Sequence, residues 1–472
     1  MSDLHLPQYL RDTLPEKPGA YLVGGAVRDL LLERRPTDID IAVENGAAAF
    51  AQDLAERIGA RVVSIGKHGL VNHRVTSRYI LIDVTDLVDQ SLESDLRRRD
   101  FTVNAMAVSL HDGRLIDISG GREDIAGRHI RMVSEKAFVE DPLRLLRAFR
   151  LAGTLEFEIE ANTLAAIRRH GQRINQPAGE RLHAEFIQLL NCPASSEQIR
   201  AMSKSGLLTR LFPEMEPMQG CLQNRHHDFD VYEHTLNAYA AVEDSLRTTA
   251  PAFAALRKRY RQAPYRKTAV AILKYAALLH DIGKPSSRHE GTDGGVHFHG
   301  HARHSAEMAE AVHRRLCFSK KESEQAQTII LNHGRPMDLL AAHKSQNLRR
   351  KGINRFYREC DPWTPEVLLH AWGDTMGKRR KPDAEVDATL HFITGLIDDY
   401  FDRYRPLAGK KPLVNGRDLM RHCGLAPSPI VGELLQSVEE ERLAGRITTR
   451  REALQHAAAC LAQRDRSASE TN

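Results

Sequence analysis

The chain has few cysteines, and no two of them are close together. Cys192, Cys221, Cys317, Cys360, Cys423 and Cys460 are spread along 472 residues without a CxxC spacing. That excludes a zinc knuckle and a disulfide frame and predicts reduced thiols. No apolar run approaches the ~20 residues that cross a bilayer as a helix. Residues 1–25 contain no basic segment followed by an apolar one, the pattern of an export signal. A cytoplasmic protein with no membrane partner is therefore expected. Internal repeats and low-complexity tracts are missing too. With 42% hydrophobic and 27% charged residues, the composition excludes disorder and a collagen-like architecture for most of the chain. The length allows roughly three domains.

Histidine and clustered arginine are plentiful. Histidines number 23, and they are crowded between His226 and His304, where nine of them lie, which points to metal or proton chemistry. Net charge is only +5, yet Arg97, Arg98, Arg99, Arg144, Arg147, Arg150, Arg168, Arg169 and Arg173 concentrate basic charge in one stretch. This suits a polyanionic partner as well as it suits a solvated helix face.

Residues 20–135 carry short strand-like runs at 20–23, 39–43, 61–65, 79–84 and 115–117, with helical pieces such as 47–58 between them. They predict an α/β or α+β domain. After about residue 135, apolar positions recur at i, i+3, i+4 in 141–151, 161–170, 180–190, 231–246, 269–280, 304–316 and 321–331. The remainder is expected to be nearly all α. Joints are expected near 176–179, 212–219 and 405–412, and residues 464–472 are expected to fray.

Gly24-Gly25 follows a strand and precedes a helical run with Arg28 and Asp29 in its first turn. Two glycines let a ligand approach the backbone, and free N–H groups at a helix start favour phosphate, although tight turns are the commoner use of such pairs. Asp38-Ile39-Asp40 then opens a strand. Strand side chains alternate, so Asp38 and Asp40 share one face while Ile39 points into the core. Two adjacent carboxylates repel unless a cation lies between them. Their hard oxygens suit Mg²⁺, with phosphates and water in its other positions, as in two-metal nucleotidyl transfer. Asp83, also at a strand end, is a candidate third carboxylate. An isolated DxD is usually a solvated edge; the preceding GGxxRD raises its significance.

Four ordered motifs, Gly24-Gly25-Ala26-Val27-Arg28-Asp29 with Asp38-Ile39-Asp40, Arg98-Arg99-Asp100-Phe101-Thr102-Val103-Asn104-Ala105, and Glu140-Asp141-Pro142-Leu143-Arg144, resemble those of the bacterial-type tRNA nucleotidyltransferases and poly(A) polymerases. The resemblance spans about residues 18–215. It implies that Asp38 and Asp40 are catalytic and hold Mg²⁺. It also implies that Gly24, Gly25, Arg28, Arg99, Asp100, Asn104 and Arg147 bind the incoming nucleotide, and that Glu140, Asp141 and Arg144 read its base. The chemistry of that reading is plain. Asp accepts hydrogen bonds and Arg donates them in a plane, so an adjacent pair matches the edges of cytosine and adenine and mismatches guanine and uracil. Three residues apart at a helix start, Asp141 and Arg144 are expected on one face; by themselves they would be an ordinary salt bridge. Glu180, Arg181 and Glu185 resemble the neck segment that follows. Between the strand near Asp83 and the RRD motif only 84–97 is available, without an arginine- and tyrosine-containing loop. This departure favours adding the terminal A after CC over the full CCA. Residues 66–73 lack the arginine-rich stretch of the poly(A) polymerases.

Downstream, His234, His280-Asp281 and Asp374 stand in the order H…HD…D, with His301 and His333 between. Imidazole and carboxylate together suit a transition metal and phosphoester hydrolysis, while a lone buried His beside an Asp is more often a satisfied core pair. Residues 225–380 resemble the HD phosphohydrolases, which implies His234, His280, Asp281 and Asp374 as metal ligands and His301 and His333 as the extra histidines of two-metal or phosphate-gripping members.

The implied fold class is α+β, with a mixed-sheet head at 1–135, an all-α neck at 136–215, an HD domain at 216–400 and a helical tail at 401–472. The implied partners are the tRNA acceptor end, ATP and CTP. Two other readings use the same motifs: an HD hydrolase with a regulatory nucleotide-binding head, and a protein-modifying nucleotidyltransferase. The second has no use for an EDxxR pair.

Overall fold

The computed structural model describes residues 6–66, 71–77, 80–224, 227–247, 253–261, 265–292, 295–381 and 383–470. His226 and residues 67–70 of the stretch weighed against a poly(A) polymerase lie outside them. Contacts divide the chain into two units, Met1–Pro213 and Glu214–Asn472. The fold is α+β: a mixed sheet lies in the first unit and the second is mostly helical.

The first unit is built on seven strands: β1 (Ala20–Val23), β2 (Ile39–Val43), β3 (Arg61–Ile65), β4 (Asn72–Thr76), β5 (Leu81–Asp86), β6 (Met106–Ser109) and β7 (Leu115–Asp117). Their order is β3-β4-β5-β2-β1-β6-β7. Only β2 and β5 pair in parallel; the other neighbours are antiparallel. Alternation along β2 sorts its residues. Ile39, Ile41 and Val43 join Leu22, Val84, Phe50 and Leu54 in the main core, against the Ala47–Ile58 helix. Ala42 packs on the opposite face with Val23, Leu87, Leu96 and Ala107. Asp40 shares that second face, so the core face stays apolar and the acids stand on the other.

Strands β4 and β6 were not legible. β4 reads Asn-His-Arg-Val-Thr, in which Val75 and Thr76 favour a strand but Asn72 does not, and its ladders to β3 and β5 hold it extended. The strand expected at 79–84 runs from Leu81 to Asp86; Tyr79 lies outside the described residues. Strands also do not end at residue 135, because His129–Ile130 pairs in parallel with Glu158–Ile159. The helix expected over 141–151 is Arg144–Leu155. Pro142 pushes the residue before it into an extended conformation, and Asp141 has φ −140° and ψ 94°.

In the second unit, the Val231–Arg247 and Thr364–Gly377 helices lie very close together. A Cβ on Gly373 would come within 2.4 Å of Val242, and one on Gly377 within 2.6 Å of the Ala238 backbone. This approach brings His234 to Asp374. The helices Gly416–Cys423, Pro429–Leu443 and Arg450–Glu470 form a separate apolar cluster around Leu419, Leu434, Val438, Ala453 and Ala457. The last helix continues past Arg464, where fraying was expected. Among the described residues no helix is long and apolar enough to cross a membrane.

Candidate functional site

In the first unit, the sheet places Asp40 opposite Val23 on β1 and Asp83 on β5. Asp38 is exposed just before β2, and Asp40 is half-buried. Burial pushes the Asp40 carboxyl above the usual range. The Arg99 guanidinium opposes this, while Asp83 and Asp38 add to it. Gly24 has φ 75° and ψ −139°, a region that only glycine occupies without strain. A Cβ there would come within 2.8 Å of Arg99 Nη1 and 3.4 Å of Asp40 Oδ2. The first glycine therefore makes room for the charged groups themselves. Gly24→Ala should cost about 1–3 kcal/mol from backbone strain alone and displace Arg99. A lowered melting temperature together with a raised KM for nucleoside triphosphate would be measured.

Most of the expected nucleotide-binding residues form one chain of hydrogen bonds. Arg28 binds Asp29 through Nε at 2.9 Å and Nη2 at 2.7 Å, and donates from Nη1 to Asn104 Oδ1 at 2.7 Å. Asn104 Nδ2 donates to Asp100 Oδ1 at 3.1 Å, and Arg147 Nη1 to Asp100 Oδ2 at 3.3 Å. Buried Glu185 holds Arg150 and lies 3.7 Å from Arg147 Nε. Arg99 is held by Asp95 at 2.9 Å. Gly25 stands at the head of the Gly25–Leu31 helix, with the Arg28 guanidinium folded back over it.

Asp141 and Arg144, the pair expected to read the base, are arranged differently from the expectation. Asp141 and Arg144 do not share a helix face, because Asp141 precedes the helix and Arg144 begins it. A backbone hydrogen bond from Arg144 N to Asp141 O, 3.0 Å, keeps them adjacent in a turn. The Asp141 carboxylate pairs with Arg181 at 2.7 Å. Burial alone would raise its pKa, but Arg181 outweighs burial and holds it below the usual range. Arg144 Nη1 donates to Ala137 O at 3.3 Å, and its buried Nε has no hydrogen-bond partner. Glu140 is exposed and lies 3.5 Å from Lys136, apart from this pair.

In the second unit, ligand atoms of His234, His280, Asp281 and Asp374 lie within 4.8 Å of one another, as do those of Asp281, His301 and His333. Asp281 joins the two groups. Its Oδ2 is 3.0 Å from His280 Nε2 and 3.6 Å from His234 Nε2; its Oδ1 is 3.5 Å from His301 and 3.8 Å from His333. Asp374 Oδ1 is 2.9 Å from His234. The second ring nitrogens of His280, His301 and His333 face the carbonyls of Ala277, Phe298 and Ile330 at 3.0, 2.8 and 2.7 Å. That is the outer arrangement that aims Nε2 at a metal. His280 Nε2 and both Asp281 oxygens are buried without a well-directed hydrogen bond, although the Lys284 ammonium is 2.7 Å from Oδ2. Such a buried set fits a cation. Without one, burial would lower the His280 pKa, but Asp281 and Asp374 lift it to about 9. Asp281 itself is held far below the usual range: burial opposes this, and His280 and Lys284 overcome it.

Sequence reasoning missed three residues. His370 is fully buried, its ring 4.7 Å from that of His280; its i−4 spacing from Asp374 could have revealed it. Lys378 stands 3.2 Å from Asp374 Oδ2. Arg74 binds Asp83, which only strand register reveals.

Family models match four segments: a poly A polymerase head domain at 20–131, a probable RNA and SrmB-binding site of polymerase A at 156–219, an HD domain at 231–366, and a putative tRNA nucleotidyltransferase domain 2 at 399–458. The chain is 34% identical to an A-adding tRNA nucleotidyltransferase of Deinococcus radiodurans, covering 93% of this chain and 95% of the relative. It is 31% identical to CC-adding tRNA nucleotidyltransferases of Synechocystis, with 93% of each chain covered, and of Thermus thermophilus, with 92% of each. The fold is similar to that of a Thermotoga maritima CCA-adding enzyme complexed with tRNA, at TM-score 0.64 and 23% identity over 94% of this chain and 91% of that one.

Proposed function

The chain belongs to the bacterial-type tRNA nucleotidyltransferase family, and from that premise we propose that it adds nucleotides to the 3′ end of tRNA without a nucleic-acid template, the terminal A from ATP before any other. The observation that supports this reading is the sheet register that sets Asp40 and Asp83 on one face beside Gly24 and Arg99, with Asp38 two residues from Asp40 just before β2. A divalent ion such as Mg²⁺ held by Asp38 and Asp40 would acidify the 3′-hydroxyl and steady the triphosphate. Arg28 and Arg99 offer guanidinium donors to the phosphates. Asp100, fixed by Asn104 and Arg147, stands ready for the ribose. Asp141, with its charge held by Arg181, accepts from the exocyclic amine of the base, and Arg144 donates to the adjacent ring nitrogen. Basic side chains, Arg168 and Arg173 among them, hold the acceptor stem through its phosphates.

Addition of A is supported by the A-adding relative and by the filled connection after β5. There a 3₁₀ turn at Val88–Gln90 and a helix at Leu92–Arg97 leave no long loop before Arg99. Labelled ATP and CTP, offered with tRNA ending in CC and tRNA lacking CCA, test this. Incorporation of A on the first substrate alone is expected; C on the second would replace the reading with CC or full CCA addition. Arg144→Ala should cut discrimination against UTP and GTP by about tenfold or more with triphosphate affinity nearly kept. Single-nucleotide incorporation rates measure it.

The buried His–Asp cluster favours a second activity in the other unit. His234, His280, Asp281 and Asp374 would hold one transition metal, and Asp281, His301 and His333 a second. A metal there supplies activated water for hydrolysis of a phosphoester. The chain's own residues aim the imidazoles and bury the carboxylates.

A further inference from the structure

Val63, Arg74, Asp83 and Asp40 face one another in turn across β3, β4, β5 and β2, so their side chains lie on one face of the sheet. Asp83 is thus one strand, about 5 Å, from Asp40. By position and chemistry it would make a third carboxylate beside Asp38 and Asp40. Both of its oxygens are already engaged. Arg74 donates from Nε to Oδ1 at 2.8 Å and from Nη2 to Oδ2 at 2.9 Å. This two-pronged pairing is the strongest geometry open to these groups.

We propose that Arg74 is a positioning residue that withholds Asp83 from the head's metal ions, so that the site works with two carboxylates and binds divalent cations only as tightly as those two allow. This rests on reading Asp38 and Asp40 as the metal-holding pair. The physical reason is charge. Arg74 and Asp83 together carry no net charge, and Arg74 offsets part of the field that Asp83 puts at Asp40. Freed of Arg74, Asp83 would present a third negative charge and an open oxygen one strand from the ion. The ion would then be held more strongly and exchange more slowly with each departing pyrophosphate.

The test is a Mn²⁺ titration of the full chain, with free ion read by electron paramagnetic resonance. The head component is defined as the binding lost in Asp38→Asn/Asp40→Asn. Arg74→Met should tighten that component by about tenfold. Arg74→Met/Asp83→Asn, which replaces one neutral pair with another, should return it to within about twofold of the unaltered protein. Arg74→Lys keeps the charge but loses the fork and should fall between, which serves if the Met variant does not fold. A head component that ignores Arg74→Met, or weakens about tenfold in the double variant, overturns the proposal, the latter because Asp83 would already be a ligand. If Asp38→Asn/Asp40→Asn binds as much Mn²⁺ as the unaltered protein, the metal reading of the pair fails, and this inference with it.

Discussion

Asp40→Asn should reduce nucleotide incorporation into tRNA by about 10³-fold or more, because a metal held at the reacting phosphate supplies several kcal/mol of transition-state stabilisation. The same substitution should leave the fold intact or slightly firmer. Burial raises the Asp40 pKa in the folded state, so the ionised group costs stability at neutral pH. The sign follows from linkage. A carboxyl with a folded pKa above its unfolded one favours the folded state only while it is protonated, and that contribution disappears as pH rises through the raised value. Asn has no such charge to lose. Loss of activity with an unchanged or higher melting temperature at pH 7 is the expected pair of results. A variant that keeps full incorporation would remove Asp40 from the reaction, and one that loses activity through unfolding would show its melting temperature falling.

Asp281→Asn should abolish the metal binding proposed for the second unit while sparing incorporation. Asp281 is the one residue common to both ligand groups, and its two oxygens face different histidines. Its loss therefore impairs both positions at once. Metal content by mass spectrometry of purified protein should drop toward zero. Hydrolysis of p-nitrophenyl phosphate should fall by about 10³-fold, of the order expected when a metal's activation of water is lost. Removing one partner of a buried charge cluster also costs about 3–5 kcal/mol, so a lower melting temperature should accompany it. Tailing with labelled ATP, measured below that temperature, should be nearly unchanged. Unchanged metal content would show that these side chains form a charge cluster and not a metal centre. Metal loss without any phosphatase to lose would leave the cluster a structural centre.

The face of Asp40 was readable before any coordinates because strand alternation is local: Asp40 follows the core Ile39 and stands on the opposite side of β2, whereas Asp38 lies just before the strand. The HD cluster was readable as an ordered set of metal-binding residue types. Helix periodicity located six later helices between residues 161 and 332 to within a few residues, since an apolar stripe records which side is buried, but it did not single out those at Ser195–Ser205 or between Arg335 and Asp399. The reading of 141–151 as one helix failed because the apolar spacing persisted through Pro142, whose effect on the preceding residue overrode it.

Residue types, their alternation and their spacing determined which side chains could carry metal and nucleotide chemistry in this protein, because those signals act over a few neighbouring positions. The pairings were decided only in three dimensions. Arg181 holds Asp141, Arg74 holds Asp83, and Asp281 joins two groups of histidines across separate helices. Each depends on strand register or helix packing between separate segments, nine residues apart for Arg74 and Asp83 and forty for Arg181 and Asp141, and no local pattern encodes which segments meet.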